Sequence, residues 1–193
     1  MNAMELNAAT LTAWVRLTLT RPREAAEGLI RLNVPDDARW LGFVIVVVLS
    51  VILSHASLTL MGDAEYTGSL LSVAMMQTTI LLATVVAVHG AGRLFGGQGT
   101  FPDALLLMAW LQFVMLVFQV IQTASLMLLP ALFGLVVVLS LVVFLWMLTN
   151  FIMALHGFVS PLKVVVGIIF TVFALSFVFA ILLAVFGFAP GVA

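Results

Sequence analysis

Between residues 40 and 187 the chain reads as one apolar run after another, broken only by short polar or glycine-rich connectors. A helix that crosses a bilayer needs about 20 largely apolar residues, because the hydrocarbon core is ~30 Å thick and each helical residue rises ~1.5 Å. Windows at 40–61, 70–89, 101–128, 131–156 and 164–187 meet that length. Pro130 is the strong break between the third and fourth. One helix over 101–156 would be far too long for a bilayer, so the chain is expected to turn at Leu129-Pro130 as a hairpin. Composition points the same way. Hydrophobic residues are 64% of the 193 and charged residues 8%, against roughly 45–50% and about 25% in soluble domains. The fold class expected is all-α, a polytopic integral membrane bundle of about five transmembrane helices. Residues 1–39 form an amphipathic N-terminal segment, 40–187 the five-helix domain and 188–193 a short external tail.

Several function classes fall away on composition alone. The chain has no cysteine, hence no disulfide framework, thiolate nucleophile or thiolate metal site. A net charge of −1 argues against nucleic acid as a partner. The start does not read as a cleavable signal peptide, since Glu5 comes early and Arg16, Arg21, Arg23 and Arg31 interrupt every apolar run before Trp40. The first long apolar segment is therefore expected to be an uncleaved anchor. The glycines at 90–99 lack the Lys-Ser/Thr of a phosphate loop, and no serine nucleophile elbow is present.

Turn chemistry marks the connectors. Gly62-Asp63-Ala64-Glu65-Tyr66-Thr67-Gly68-Ser69 is polar, and Gly90, Gly92, Gly96, Gly97 and Gly99 suggest a flexible link. Thr100 can cap the third helix, with Pro102 and Asp103 suited to its first turn. Gly157-Phe158-Val159-Ser160-Pro161 separates the last two helices. Charge then orients the bundle, because cytoplasmic loops are enriched in Lys and Arg. Arg16, Arg21, Arg23, Arg31 and Arg39 precede the first span, Arg93 follows the second and Lys163 the fourth. With five spans all seven fall on one side. The expected setting is the cell inner membrane, multi-pass, with the N-terminus cytoplasmic and the C-terminus external.

Ahead of the first span, Leu11, Trp14 and Val15 share helical spacing, as do Ala25, Ala26, Leu29 and Ile30, with Pro22 between the two stretches. Two readings stand side by side. These helices could lie on the cytoplasmic leaflet with their arginines near anionic headgroups, or form a packing arm over the face of the bundle.

The order of these features, and three short segments, resemble the bacterial branch of the Yip1-domain family. The segments are Thr20-Arg21-Pro22-Arg23-Glu24-Ala25-Ala26, then Phe95-Gly96-Gly97-Gln98-Gly99-Thr100-Phe101 with Ala104 and Ala109-Trp110, then Ala154-Leu155-His156-Gly157-Phe158. The resemblance covers roughly residues 10–187 and implies five spans with a cytoplasmic N-terminus. Eukaryotic members look like adaptors for Rab-type GTPases and carry an Asp-Leu-Tyr-Gly-Pro segment before the first span. Here that region reads Asn33-Val34-Pro35-Asp36-Asp37-Ala38, and the Gly-Tyr…Pro segment of their third span keeps only its aromatic at Ala109-Trp110. A Rab-type GTPase is therefore not expected as a partner.

Polar residues within spans are rare and each needs a reason. Gln112, Gln119 and Thr123 fall on nearly one face of the third helix, with Gln122 adjacent. Gln77 and Thr84 share a face of the second, His55 lies in the outer half of the first and Asn150 near the inner end of the fourth. They suit a polar pathway or interhelical glue at ~0.6–2 kcal/mol each. Glue is the preferred reading, because no carboxylate or basic residue sits at mid-membrane. Small residues recur at helix-packing spacing at Ser50, Ser54 and Ser57, at Ala83, Ala87 and Ala91, and at Ser176, Ala180 and Ala184. At the cytoplasmic face, His89, Arg93, Asp103, His156 and Lys163 form a candidate cluster. His89, His156 and Asp103 could make a metal or acid–base site, or simply complement helix ends. No catalytic residue, metal set or cofactor is assigned. The function expected is a non-enzymatic membrane scaffold or accessory subunit that docks other membrane proteins or itself as a homo-oligomer. The alternative is a small transporter or channel acting as an oligomer.

Overall fold

The computed structural model describes residues 7–60 and 69–185, with side chains through Phe177. Most of the polar connector with Asp63 and Glu65, the 188–193 tail, and the side chains of Ala180 and Ala184 lie outside the described residues. The described residues form seven helices: α1 Ala8–Thr20, α2 Pro22–Arg31, α3 Asp36–Leu60, α4 Leu70–Leu94, α5 Phe101–Leu128, α6 Pro130–His156 and α7 Pro161–Val185. The helices α3, α4, α5 and α6 are each long and apolar enough to cross a membrane, and α7 is a fifth apolar helix of 25 residues. The fold is an all-α polytopic membrane bundle with an N-terminal helical arm.

Local chemistry sets the helix ends. The Asn7 side chain accepts from the Thr10 N–H at 2.8 Å to start α1, and Ser69 does the same for Ser72 in α4 at 3.2 Å. Pro22 and Pro130 occupy the first turns of α2 and α6, where the missing N–H costs nothing. Leu129 is the whole connection between α5 and α6, so the expected hairpin is observed at that point. Gly157 closes α6 in the left-handed region at φ 73°.

Three boundaries differ from the hydropathy windows. The α3 helix begins at Asp36 rather than Trp40, since Asp36 and Asp37 favour a helix N-terminus and Arg39 folds back to donate to the Val34 carbonyl at 2.7 Å. The α4 helix runs five residues past His89 to Leu94. Gly90 and Gly92 are thus helical, and only the later glycines form a connector. The α7 helix starts at Pro161, three residues before its apolar window.

The α5 helix is the axis of the bundle. It buries Ala104, Leu105, Leu107, Met108, Leu111 and Val114 against α3, α4 and α6. The arm has a definite place: Ala25 and Ala26 are fully buried, and α2 packs across α6 and α5, with α1 beside it. Of the two placements left open by the sequence, this is the packing arm. Buried residues concentrate toward the end where α3 and α5 begin and α4 and α6 finish. At the other end α6 exposes Leu135, Val138, Leu139 and Val142.

A polar ladder joins α3 to α5. Gln112 Nε2 donates to Ser50 Oγ at 3.1 Å, Gln119 Nε2 donates to Ser54 Oγ at 2.9 Å, and the Ser57 and Thr123 hydroxyls bond at 2.8 Å. All three rungs ascend together, so the two helices run parallel in one register. Changing Gln112 or Gln119 to Leu should leave the helical content intact and lower stability by about 0.6–2 kcal/mol per rung. Thermal unfolding of each variant in mild detergent reads this directly. An unchanged midpoint in both would mean the ladder holds nothing together.

Candidate functional site

Three ties gather at the basic end of the bundle. The first is an ion pair. Arg39, only 6% exposed, places Nη1 3.1 Å from Asp103 Oδ1. Thr100 Oγ1 donates to the other carboxylate oxygen at 2.6 Å, so Asp103 is satisfied on both sides. This pair fastens the start of α3 to the start of α5. The second tie fixes the arm. Trp110 Nε1–H on α5 donates at 2.9 Å to the hydroxyl of fully buried Thr18, which itself donates to the Trp14 carbonyl at 2.8 Å.

The third tie is His156, the last residue of α6, and it is 3% exposed. The Gly99 N–H donates to its Nδ1 at 3.2 Å. Nδ1 must then be bare, and Nε2 carries the proton toward the Val88 carbonyl at 3.1 Å. The geometry therefore uses the neutral imidazole with its proton on Nε2. The Gln98 N–H donates to the His156 carbonyl at 3.4 Å, and Phe158 stacks on the ring with centroids 5.5 Å apart. A Cβ on Gly92 or Gly97 would lie within the space of the imidazole, and one on Gly99 would meet both the ring and Leu155. These glycines are required by close approach to the ring, and one histidine locks α4, the α4–α5 loop and α6 together.

The candidate residues of this face are held by different partners. Asp103 belongs to Arg39, and His156 belongs to the backbone of α4 and its loop. His89 stands edge-on to Phe101 at 5.9 Å. Arg93 is exposed in the last turn of α4 and Lys163 in the first turn of α7. The described residues include no group of three or more His, Asp or Glu placed to share a metal ion. Within the spans, Gln112 and Gln119 meet serines as above. Asn150 Nδ2 donates to the Trp146 carbonyl of its own helix at 2.8 Å, and the Gln122 carbonyl accepts from Ser125 at 2.8 Å. His55 and Gln77 are half-buried on α3 and α4.

Two cavities accompany these ties. A recess of about 440 Å³ lies by the loop, between Gly96, Gln98 and the end of α6. A long groove of about 900 Å³ separates α4 from α7, with Ala83, Ala87 and Ala91 on one wall and Gly167 and Thr171 on the other.

Sequence reading missed the glycine cradle, the Arg39–Asp103 pair and the Thr18–Trp110 bond. A signal was present for two of them. The Phe95–Phe101 and Ala154–Phe158 segments that carried the family resemblance are the two that meet around His156, and Trp110 belongs to the same set.

Helices of spanning length, an arm packed on one end and polar groups bonded between helices define a polytopic membrane protein organised around packing. The Yip1 domain profile matches residues 16–183, and the chain belongs to that family. No curated protein and no solved structure matches it.

The cradle makes a differential prediction. Gly92→Ala should destabilise by about 1–3 kcal/mol through overpacking, whereas Gly90→Ala, with open space around it, should be close to neutral. In a His156→Ala background the Gly92→Ala penalty should largely vanish. Additive losses in the double variant, read from unfolding midpoints, would contradict a shared clash.

Proposed function

We propose that the chain is a five-span scaffold or accessory subunit of the inner membrane that docks other integral membrane proteins and acts without catalysis. Its N-terminus would lie in the cytoplasm and its C-terminus outside, so the basic end is the cytoplasmic end. One observation carries this reading: four of the polar side chains best placed for chemistry or conduction are engaged in holding the bundle together, although the buried Nδ1 of His89 has no hydrogen-bond partner among the described residues. Gln112 and Gln119 bond to serines, Asp103 to Arg39, and His156 to two backbone groups. What the bundle turns outward is apolar, notably Leu135, Val138, Leu139 and Val142 on α6 and Ile169, Phe170 and Phe173 on α7. Helices in lipid associate through close packing and a few hydrogen bonds, so such faces suit partner helices as well as lipid. Residues 1–39 act as a cytoplasmic brace in this reading.

Orientation is tested by fusions. A reporter placed after Ala193 should be active only outside the cytoplasm, and one truncated after Arg93 only inside. A cytoplasmic C-terminus would mean an even number of spans and would overturn the arrangement.

The transporter reading is tested in vesicles. The purified protein should give no solute or ion flux that depends on Gln112 or Gln119, while mild-detergent extraction should retain the same membrane partner in the wild type and in both Leu variants. A flux abolished by either variant without loss of fold would defeat the scaffold reading.

A further inference from the structure

The α4–α7 groove has properties that the packing of the bundle does not use. Its volume, about 900 Å³, is at the upper end of the ~300–1,000 Å³ usual for ligand sites. Its walls are apolar in a specific way. Thr84 and Thr171 both line it, yet each hydroxyl bonds back to its own helix, Thr84 to the Ile80 carbonyl at 2.8 Å and Thr171 to the Gly167 carbonyl at 2.7 Å. The groove thus meets their methyl groups. Ser160 and Ser176 are the remaining hydroxyls of the lining, so polar solutes would find few donors there.

Its depth is informative. From Lys163 to Ser176, one residue short of the last α7 side chain described, the lining spans thirteen residue steps, or ~20 Å of helix at ~1.5 Å per residue. One leaflet of the hydrocarbon core is ~15 Å, half of the ~30 Å total. The described lining therefore spans at least one leaflet. Its width is limited as well: Phe95, the C-cap of α4, reaches within 3.9 Å of the position a Gly167 Cβ would take.

Charge completes the description. Lys163 is the one charged residue of the lining among the described residues and stands at the mouth, in the exposed first turn of α7. Arg93 follows Gly92, which lines the opposite wall, and is exposed. No carboxylate among the described residues lines the groove. The positive end of the α7 helix dipole lies at the same level. We infer that the groove holds one acyl chain of an anionic glycerophospholipid from the leaflet at the basic end, with its phosphate against Lys163.

The full-length protein in mild detergent can be titrated with an equimolar mixture of palmitoyl-oleoyl phosphatidylglycerol and phosphatidylcholine and analysed by native mass spectrometry. One phosphatidylglycerol adduct per chain should predominate, by about five-fold over phosphatidylcholine, the ratio that a ~1 kcal/mol lysine–headgroup attraction supplies. Lys163→Gln should bring the two lipids to near equality while chain binding persists. Ala87→Trp, which fills the groove from α4, should remove both adducts; Val172→Trp fills it from α7 and serves if the first variant does not fold. Equal adducts of the two lipids on the wild type, an undiminished preference in Lys163→Gln, or adducts that survive groove filling would each overturn the assignment. So would a second copy of the chain that occupies the groove and excludes lipid.

Discussion

Lipid offers a helix neither hydrogen bonds nor the hydrophobic pressure that drives soluble cores together. Polar groups placed between helices therefore have to find each other, and here they converge on α5. Asp103, Trp110, Gln112, Gln119 and Thr123 reach Arg39, Thr18, Ser50, Ser54 and Ser57 in turn. The Arg39–Asp103 pair sets where α3 begins relative to α5, and the rungs above it hold the two helices in the same parallel register. Removing one partner of a buried pair leaves a desolvated charge, a loss of roughly 3–5 kcal/mol when burial is complete. Asp103 retains some exposure (18% of its side chain), so the loss here is smaller. Its structural consequence is still large, because the pair lies at the base of the ladder.

The packing is graded along the membrane normal. At the basic end the arm, the His156 lock and the ion pair coincide, and fully buried residues such as Ala26, Leu107, Met147 and Phe151 belong to one core. Toward the far end α6 keeps Ser140 buried but turns most of its side chains outward. The α7 helix shares one short region with this rigid base and then stands apart from α4. The groove follows from that geometry: α7 follows α6 through Gly157 and Phe158, and the alanine stripe on α4 leaves the space between α4 and α7 unfilled.

Much of this was legible in the sequence because lipid imposes length and composition so strictly. The ends of α5 at Phe101 and Leu128, the turn at Leu129 and the serine stripe of α3 all follow from apolar length, proline chemistry and small-residue spacing. The α4 terminus did not, since Gly90 and Gly92 read as breakers. Helix propensity treats glycine as a cost, and only the His156 ring explains why Gly92 must lack a Cβ. The candidate cluster of His89, Arg93, Asp103, His156 and Lys163 was a statement about level in the membrane. Level does not determine direction: Asp103 turns to Arg39, His156 to the backbone of α4 and its loop, and Arg93 and Lys163 are exposed. Arg39 was read as a topogenic charge, with no local pattern to pair it with Asp103, which is 64 positions away in sequence.

The seven basic residues also divide by what surrounds them, and the division changes what the arm can do. Arg39 is internal. Arg21 pairs with Glu24 at 3.3 Å, and Arg23 and Arg31 share Glu27 at 3.2 and 3.0 Å. Such exposed pairs are each worth no more than about 1 kcal/mol of stability, but they offset much of the positive field that α2 would otherwise present to anionic headgroups. Among the described residues no carboxylate pairs with Arg16, Arg93 or Lys163. Attraction to an anionic leaflet therefore shifts away from the arm, where the run of arginines suggested it, toward the ends of α4 and α7. Those two helices wall the groove. The arm is left as a packing element that keeps Arg16 on α1 and answers the charges of α2 within that helix, while Arg93 and Lys163 stand at the ends of the two helices that wall the apolar groove.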